Sequence, residues 1–197
     1  MKRVFDFILA LCGLVVLSPL FLALSLIILI TMGWPIFFRQ ERVGKNAVPF
    51  RIVKFRSMIK DAAKKGPVVT AGGDPRITPV GRFLRKTKLD ELPQLINVFW
   101  GDMSLVGPRP EVPKYVKMYN DEQLRVLAVR PGLTDPASIA YSNEEEILAK
   151  YEDREKAYIE ILMPAKLKLN ISYIDRATFF SDVGMIFKTI GKIISRK

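Results

Sequence analysis

The fold of this chain is decided by an apolar run near its N-terminus that contains no charged side chain: Phe7-Ile-Leu-Ala-Leu-Cys-Gly-Leu-Val-Val-Leu-Ser-Pro-Leu-Phe-Leu-Ala-Leu-Ser-Leu-Ile-Ile-Leu-Ile-Thr-Met-Gly-Trp-Pro-Ile-Phe-Phe38. A helix that crosses a bilayer needs about 20 apolar residues, and this run is long enough. It is too long for a secretory signal peptide and lacks a small-residue cleavage site before the charged body. We therefore expect residues 1–34 to enter a membrane as a helix.

Two features argue against a straight membrane span. Ser18-Pro19 falls in the middle of the run, and a proline inside a helix removes a backbone hydrogen bond and favours a kink. Cationic residues also flank the run on both sides, which favours the cytoplasmic side for both flanks. We therefore expect a re-entrant helix that bends at Ser18-Pro19, with a plain spanning helix as the alternative. The flanking cations are Lys2, Arg3, Arg39, Arg42, Lys45, Arg51, Lys54 and Arg56.

The composition restricts the chemistry of any site outside this run. The 197 residues carry a net charge of +11, which favours an anionic partner such as nucleic acid, an acidic membrane surface or a phosphorylated substrate. The chain has no histidine, so an acid, base or nucleophile must be a carboxylate or a less usual group. Cys12 is the only cysteine, which excludes an internal disulfide and a thiolate or imidazole zinc site. A metal would be a hard cation on oxygen ligands, and we expect Mg²⁺.

Residues 35–197 are expected to form one compact cytosolic domain, because no linker, repeat or low-complexity tract divides them. Short β-like runs at 35–39 and 50–56 flank a turn signal at 44–46 and predict a small β-hairpin. The other patterns are helical or loop-like, so the predicted fold class is an α-rich α+β domain behind a re-entrant membrane helix.

Several helix boundaries can be predicted from proline and capping residues. Thr78-Pro79 is expected to open a basic helix that ends near Lys86, and Pro93 a helix that ends near Trp100. Loops are expected at 101–104 and 107–110. Asn120 and Asn143 are predicted helix caps, and 151–175 is helical in pattern with a division near Pro164.

The C-terminal segment has the pattern of a basic amphipathic helix. Its apolar residues fall at helical spacing, with Lys188, Lys192, Arg196 and Lys197 around them. Such a helix can lie in the membrane interface, or its apolar stripe can join the domain core, and the sequence favours neither. The apolar residues are Val183, Ile186, Phe187, Ile190, Ile193 and Ile194.

The paired carboxylates Asp90 and Glu91 are the best candidates for chemistry. They follow a cluster of cations that could hold phosphate oxygens and lower the pKa of a carboxylate: Arg82, Arg85, Lys86 and Lys88. An ionised carboxylate held in this way can act as a nucleophile. The alternative is an ordinary helix start, where acidic residues cap the backbone and offset the helix dipole.

Other cations are candidates for phosphate binding. Arg109 lies between Pro108 and Pro110, and Arg130 precedes Pro131-Gly132, so proline restricts the backbone next to each arginine and pre-organises its guanidinium. Pairing with a surface acid explains either arginine equally well. Lys54 and Arg56 lie on the second predicted strand, where the alternative is snorkelling at the membrane interface.

A series of short motifs follows the membrane segment along the chain. In order, they are Lys54-Phe-Arg-Ser-Met58, Asp74-Pro-Arg-Ile-Thr78, Gly81-Arg-Phe-Leu-Arg85, Leu89-Asp-Glu-Leu-Pro-Gln-Leu95, Gly101-Asp-Met-Ser104, Gly107-Pro-Arg-Pro110 and Arg130-Pro-Gly132. Together with Ser18-Pro19, these motifs resemble the bacterial sugar transferases, also called monotopic phosphoglycosyl transferases. The match extends to about residue 140, and the chain looks like a minimal member that consists of the catalytic unit.

The resemblance implies an enzyme that transfers a phosphosugar from a UDP-sugar to polyprenol phosphate and releases UMP, the first membrane step in the synthesis of a glycoconjugate. It implies that Asp90 is the nucleophile and carries a covalent phosphosugar, and that Glu91 supports proton handling. Asp90 and Glu91 would also hold Mg²⁺. The implied phosphate-binding residues are Lys54, Arg56, Arg85, Arg109 and Arg130.

The same resemblance implies a monotopic protein on the cytoplasmic face of the bacterial inner membrane. Asp135 stands where many members have glycine, in a region that could contact the nucleotide or the sugar. A homodimer is also expected, because small domains on a membrane surface often associate.

The competing hypothesis is a membrane-anchored basic scaffold that binds anionic lipid or nucleic acid without catalysis. The cations, however, alternate with prolines, glycines and the Asp90-Glu91 pair rather than forming one run. We therefore favour the enzyme and do not expect nucleic acid as a partner.

Overall fold

The computed structural model describes residues 1–62, 65–66 and 73–195, and the side chains of 193 and 194 are not described. The fold is rich in helix, with two small sheets, so the α-rich α+β class is confirmed. The helices are α1 (Lys2–Val16), α2 (Ser18–Met32), α3 (Pro79–Lys86), α4 (Gln94–Trp100), α5 (Pro113–Val116), α6 (Asp121–Leu124), α7 (Pro136–Ala140), α8 (Glu144–Leu148), α9 (Arg154–Ala157), α10 (Met163–Ile174) and α11 (Phe179–Ile194). The strands are β1 (Phe37–Val43), β2 (Pro49–Phe55), β3 (Ser104–Val106) and β4 (Gly132–Thr134).

The apolar run folds as two helices, α1 and α2, that meet at Leu17 with a bend of 60°. Pro19 lies in the first turn of α2, where its missing N–H costs no hydrogen bond, and the Ser18 hydroxyl donates to Val15 O at 2.7 Å. The break predicted at Ser18-Pro19 is confirmed. Within the described ranges no single helix has the length and apolar composition that a membrane crossing requires, whereas the bent pair together has both.

The start of α1 is tied to the rest of the chain by polar side chains. The Arg3 guanidinium donates to Val98 O at 2.5 Å and to Phe99 O at 2.7 Å, which satisfies carbonyls at the end of α4. The buried carboxylate of Asp6 accepts hydrogen bonds from Ser104 Oγ at 2.8 Å and from Leu105 N at 3.2 Å. The first turns of the apolar run are therefore docked on α4 and β3.

The end of α2 is tied to the same domain. Arg56, which follows β2, donates through Nη2 to Met32 O at 2.5 Å and to Gly33 O at 2.6 Å. Leu24 and Ile28 of α2 pack with Phe55 and Leu84 in one buried cluster. Both ends of the bent pair therefore rest on residues 37–106.

The predicted hairpin is confirmed, and its first strand extends further toward the turn than the sequence indicated. β1 and β2 pair antiparallel from Phe37 opposite Phe55 to Val43 opposite Pro49. The connection is a short 3₁₀ turn, Lys45–Ala47, in which Asn46 adopts φ 54°. Asn97 of α4 accepts from Val53 N at 2.9 Å and donates to Arg51 O at 2.8 Å, so α4 is fastened to β2.

A parallel pair of short strands, β3 and β4, was not predicted from the sequence. Ser104 pairs with Gly132, and Val106 with Thr134. The two backbones come so close that a Cβ on Gly132 would lie 2.1 Å from Gly107 N. Only glycine fits this crossing, which joins the loop that bears Arg109 to the loop that bears Arg130.

The remaining helices surround a core that includes Tyr115, Leu148, Tyr158 and Leu167. The Asn120 side chain caps α6 in a reciprocal pair with Gln123, as predicted. Asn143 occupies the predicted cap position of α8, but its side chain makes no capping hydrogen bond to the helix.

Two longer helical segments complete the chain. The segment predicted at 151–175 is divided by a π-helical turn, Tyr158–Leu162, directly before Pro164. Met185 and Ile186 of α11 join a core with Ala10 and Leu105. Phe180, Phe187 and Ile190 of α11 are 84%, 69% and 48% exposed. The C-terminal helix therefore combines a core face with an exposed apolar face. The sequence also assigned the side chains at 193, 194, 196 and 197 to this helix, and these lie outside the residues and side chains that the structure describes.

Candidate functional site

The two candidate carboxylates lie in a 3₁₀ turn, Leu89–Glu91, between α3 and α4. Lys88 precedes the turn in the left-handed conformation at φ 60°, which reverses the chain after α3. α4 begins at Gln94 with Pro93 in the cap position and without a side-chain cap. The interpretation of Asp90 and Glu91 as caps of this helix is therefore wrong.

Glu91 is held by two cations from separate parts of the chain. Lys54 Nζ, from β2, lies 2.9 Å from Glu91 Oε1. Arg109, from the loop after β3, approaches both carboxylate oxygens, with Nη1 3.1 Å from Oε2 and Nη2 on Oε1. This two-pronged pair is the geometry that arginine adopts with planar anions.

The ionisation of this cluster follows from burial and mutual attraction. Burial raises the pKa of Glu91, but the charges of Arg109 and Lys54 outweigh it and hold the pKa well below its ordinary value. Burial lowers the pKa of Lys54, which Glu91 partly offsets. The Glu91 carboxylate raises the pKa of Arg109. Glu91 is therefore ionised between two charged partners.

Asp90 differs from Glu91 in both its hydrogen bonding and the direction of its pKa shift. Its side chain is buried, and its Oδ1 atom has no hydrogen-bond partner among the described residues. Burial raises the pKa of Asp90 to about 6, and the charge of Glu91 adds to the shift, against smaller opposing effects of Lys54, Lys88 and Arg85. The nearby cations do act to lower the pKa of Asp90, but the expectation of a lowered pKa is wrong, because desolvation is the larger effect.

Arg85 stands close enough for its charge to act on Asp90, but its guanidinium is already bonded. Nε donates to Ser57 Oγ at 3.0 Å, and Nη1 lies 3.3 Å from Glu145 Oε1. Gly81 permits this arrangement, since a Cβ there would lie 1.8 Å from Ser57 O. α3 can therefore pack closely against Ser57, in the segment that follows β2.

Two of the predicted phosphate-binding residues lie outside the Glu91 cluster. Arg56 is bonded to the end of α2, as described above, and its side chain is buried. Arg130 is exposed at its guanidinium and donates through Nε to Gly101 O at 2.9 Å. Over the described part of the chain, neither arginine has a hydrogen bond or ion pair with Glu91 or Asp90. Lys54 and Arg109 are the predicted cations that the fold brings together.

Residues that the sequence did not indicate form a buried network beside Arg109. Arg42 of β1 donates to Pro110 O at 3.0 Å and pairs with Glu111 at 3.2 Å. The Tyr158 hydroxyl donates to the other oxygen of Glu111. Burial raises the pKa of Tyr158 well above its ordinary value. The only signal for this network was the position of Glu111 directly after the Gly107–Pro110 motif.

Gln94 and Asp135 are also buried polar residues at the site. Gln94 is 1% exposed, and its Nε2 atom has no hydrogen-bond partner within the described residues. Asp135 is fully buried and caps α7 by accepting from Ser138 N at 3.0 Å. The Asp135 charge contributes to the raised pKa of Arg109, so it lies near that guanidinium.

The donor set for a metal is small. No group of three or more acidic, histidine or cysteine side chains that could hold a metal occurs in the described part of the chain. Mg²⁺ is commonly bound by one or two carboxylates together with substrate phosphates and water. The unpartnered Oδ1 of Asp90 fits one such ligand position, whereas both oxygens of Glu91 are bonded to cations.

Comparison with known proteins identifies relatives of the whole chain. The family model described as "Bacterial sugar transferase" matches residues 1–196. The sugar transferase EpsL of Bacillus subtilis is 34% identical over 98% of this chain and 87% of its own length. The UDP-N-acetylgalactosamine-undecaprenyl-phosphate N-acetylgalactosaminephosphotransferase of Aeromonas hydrophila is 36% identical over 98% of this chain and 44% of its own. The UDP-glucose:undecaprenyl-phosphate glucose-1-phosphate transferase of Escherichia coli is 34% identical over 98% of this chain and 40% of its own.

Proposed function

Because the chain belongs to the bacterial sugar transferase family, we propose that it transfers a phosphosugar from a UDP-sugar to polyprenol (undecaprenyl) phosphate and releases UMP. The Aeromonas and Escherichia relatives are named for this class of reaction. The observation that carries the proposal is the buried Asp90 carboxylate with an unpartnered oxygen, next to a Glu91 carboxylate that is neutralised by two cations. The reaction would be the first membrane step in the synthesis of a glycoconjugate.

In the first step, an oxygen of ionised Asp90 attacks the phosphorus that bears the sugar. The bond from that phosphorus to the bridging oxygen breaks, and the electron pair leaves with UMP. The product is an aspartyl phosphosugar, an acyl phosphate (mixed anhydride) of Asp90. Oδ1 supports this role, because an oxygen without an internal hydrogen bond keeps its lone pairs available for attack.

In the second step, a phosphate oxygen of polyprenol phosphate attacks the same phosphorus. The bond to Asp90 breaks, and the carboxylate is regenerated as polyprenol-diphosphate-sugar forms. A soluble donor and a lipid acceptor can thus use one site in turn. This order requires both substrates to reach Asp90, whose Oδ1 atom is buried in the free protein.

Lys54 and Arg109 would stabilise the charge that develops on the transferred phosphoryl group. Both are held in place by Glu91, so they need no large rearrangement when the donor binds. The role proposed for Glu91 is therefore to position these cations. Arg85 and Arg130, together with Arg56, are bonded elsewhere, and phosphate binding by them stays a prediction.

Asp90 is the residue that fits a Mg²⁺ ligand, and the other ligands would come from the donor phosphates and water. When bound, Mg²⁺ would neutralise charge on the diphosphate. Glu91 would need to leave Lys54 or Arg109 before it could join the metal. Metal binding by Glu91 is therefore the less direct part of this proposal.

The same proposal places the protein on the cytoplasmic face of the bacterial inner membrane as a monotopic protein. The bent pair α1–α2 would be a re-entrant element within residues 1–34, and residues 35–197 would carry the site. Support comes from Arg3, Asp6 and Arg56, which fasten both ends of the pair to one domain. A straight span would carry one end of the run about 30 Å away. The exposed Phe180 and Phe187 are consistent with α11 in the interface.

The alternative, a basic scaffold for anionic lipid or nucleic acid, gains no specific support. Three cations of the site are engaged internally: Lys54 and Arg109 by Glu91, and Arg42 by Glu111. A scaffold would instead display such side chains to its ligand. A homodimer stays a prediction.

The test is release of UMP from a panel of UDP-sugars by detergent-purified protein with Mg²⁺ and polyprenol phosphate. Intact-mass analysis without the lipid should show the protein heavier by one phosphosugar. Asp90→Asn should abolish both signals, whereas Met118→Ser, an exposed position, should keep both. An active Asp90→Asn protein would refute Asp90 as the nucleophile, and no UMP from any donor would refute the reaction.

A further inference from the structure

Gln94 is a buried hydrogen-bond donor without a hydrogen-bond acceptor. Its side chain is 1% exposed, yet the Nε2 amide group donates to no atom of the described residues. Native proteins rarely bury an amide in this state, because the group has lost its hydration and gained nothing in exchange. Its position in the fold therefore needs a reason.

A neighbouring amide on the same helix shows the contrast. Asn97 is also fully buried, but its side chain accepts from Val53 N at 2.9 Å and donates to Arg51 O at 2.8 Å. Asn97 is thus a structural residue that fastens α4 to β2. Gln94 lies three positions earlier on α4 and makes no comparable bond.

The second unpartnered atom of this region is Oδ1 of Asp90, four positions before Gln94. The backbone from Leu89 through α4 is helical, with Leu92 and Pro93 both in the right-handed conformation. A helical rise of about 1.5–2 Å per residue separates the two residues by roughly 6–8 Å along the axis. The buried donor Gln94 Nε2 and the buried acceptor Asp90 Oδ1 thus belong to residues about one turn apart, and neither atom has a hydrogen-bond partner within the described residues.

A phosphoryl group is the chemical class that would occupy both atoms at once. Its phosphorus can bond the carboxylate oxygen of Asp90, while its non-bridging oxygens accept from an N–H group. Lys54 and Arg109 already bond to Glu91. Gln94 is a buried, uncharged donor that has no acceptor among the described residues.

We propose that the Gln94 side chain donates a hydrogen bond to an oxygen of the phosphoryl group while that group passes through Asp90. This rests on the proposed function and adds a neutral donor to a site otherwise built from cations. Such a donor acts where charge develops in the transition state, and it needs no reorganisation when it is held by burial. Gln94 would thus stabilise transfer without contributing to the stability of the free protein.

The experiment compares Gln94→Met, which keeps the length of the side chain and removes the amide, with Asn97→Leu on the same helix. For Gln94→Met we expect the melting temperature to be equal to or above that of the wild type. We expect kcat and kcat/KM for UMP release to fall together by about 100-fold, because the lost bond exists in the transition state only. The phosphosugar adduct should form more slowly by the same factor.

Asn97→Leu should instead lower the melting temperature, since it removes bonds that the free protein makes. Gln94→Glu, which matches the shape and replaces the donor by an acceptor, should be at least as slow as Gln94→Met. A Gln94→Met protein within twofold of wild-type kcat would overturn the proposal. So would a fall in melting temperature like that of Asn97→Leu, which would show a structural bond to the Gln94 amide.

The wild-type protein separates this proposal from the one on which it rests. Wild-type protein that releases no UMP refutes the reaction, and the role of Gln94 falls with it. Wild-type protein that is active beside an equally active Gln94→Met refutes the role of Gln94 alone.

Discussion

Asp90 and Glu91 are neighbours in the chain and are held in opposite electrostatic states. Glu91 is compensated by Lys54 and Arg109, whereas Asp90 is buried, and one of its oxygens has no hydrogen-bond partner in the part of the chain that the structure describes. The difference is produced by the 3₁₀ turn, which presents successive side chains in different directions. A nucleophile that lacks internal bonds is reactive, and the same lack makes it a source of instability.

Asp90→Asn should therefore stabilise the fold. Because the folded-state pKa is raised from 3.8 to about 6, the native protein binds the Asp90 proton more tightly than the unfolded chain does. This stabilisation is complete below about pH 4 and is lost as the pH rises through 6. At pH 7.5 the substitution should raise the free energy of unfolding by up to about 3 kcal/mol. Thermal unfolding in detergent without Mg²⁺, at pH 4 and 7.5, would measure it.

The two proteins should unfold at similar temperatures at pH 4, where Asp90 is protonated. An Asp90→Asn protein that is less stable than the wild type at pH 7.5 would contradict the electrostatic account.

Glu91→Gln should have the opposite effect on stability. Removal of one charge leaves two partly buried cations, Lys54 and Arg109, without their partner, and breaking a fully buried pair costs about 3–5 kcal/mol as an upper limit. We expect a lower midpoint in chemical unfolding together with loss of UMP release. Lys54→Met in the Glu91→Gln background should recover part of the stability, because it removes one of the unpaired charges. No recovery in the double variant would mean that the cluster is not coupled as described.

At the scale of elements, the site is assembled where short segments cross rather than on one continuous element. β2 supplies Lys54, the turn before α4 supplies Asp90 and Glu91, and the loop after β3 supplies Arg109. The crossing of Gly107 and Gly132 fixes the last of these segments. The position of Arg109 therefore depends on a backbone contact that involves no functional side chain.

Gly132→Ala should displace the loop that bears Arg109. The added methyl group would meet Gly107 N at 2.1 Å and Gly107 O at 2.3 Å, so the strands must separate. We expect a lower melting temperature and a loss of UMP release. Gly184→Ala is the matched control, since a Cβ there meets nothing within 4 Å and alanine favours a helix by about 1 kcal/mol. Equal stability of the two variants would contradict the close approach.

The sequence predicted the elements that carry strong local signals. Pro19 predicted a kink, Pro79 a helix start and Pro164 a division, and each lies at the start of a helix. The turn signal at 44–46 predicted the hairpin. The sequence missed β3 and β4, since three-residue strands that pair across a long separation have no local pattern. The sequence also predicted the wrong direction for the pKa shift of Asp90, because the burial of this side chain depends on packing that the local charges do not reveal.

The candidate site shows the same division between local and long-range information. The cations Lys54 and Arg109 could be named from motifs, and the fold brings them to Glu91. Arg56 could not be distinguished from them by sequence, although it bonds the end of α2 instead. Which donor faces which acceptor is decided by tertiary contacts, and so is the unpaired state of Gln94.

For the whole molecule, exposed aromatic side chains extend the apolar surface beyond the bent pair. Trp34 follows α2, Trp100 ends α4, and Phe187 lies on α11. Phe179 of α11 contacts Phe5 of α1 edge to face at 5.0 Å, so α11 lies beside the start of the pair. Amphipathic aromatic residues at such positions are typical of a membrane interface.

A tryptophan placed at position 187 should therefore contact lipid. In a protein with Trp34→Phe and Trp100→Phe, the only indole would be that of Phe187→Trp. We expect vesicles of brominated lipid to quench its emission strongly. Tyr151→Trp in the same background is the control, because this exposed residue lies before α9 and away from the pair in sequence. Equal quenching at both positions would argue against an interfacial α11.

The docking of α1 sets an order of events during synthesis. Asp6 and Ser104 are 98 positions apart, and Lys2 and Asp182 are 180 apart. At about 5–20 residues per second, roughly 5–20 s pass between translation of Asp6 and of its acceptor strand. The Asp6 carboxylate is therefore synthesised well before the residues that bind it. If the α1–α2 pair inserts into a bilayer as proposed, the later residues fold onto an inserted anchor, and folding is completed at the membrane.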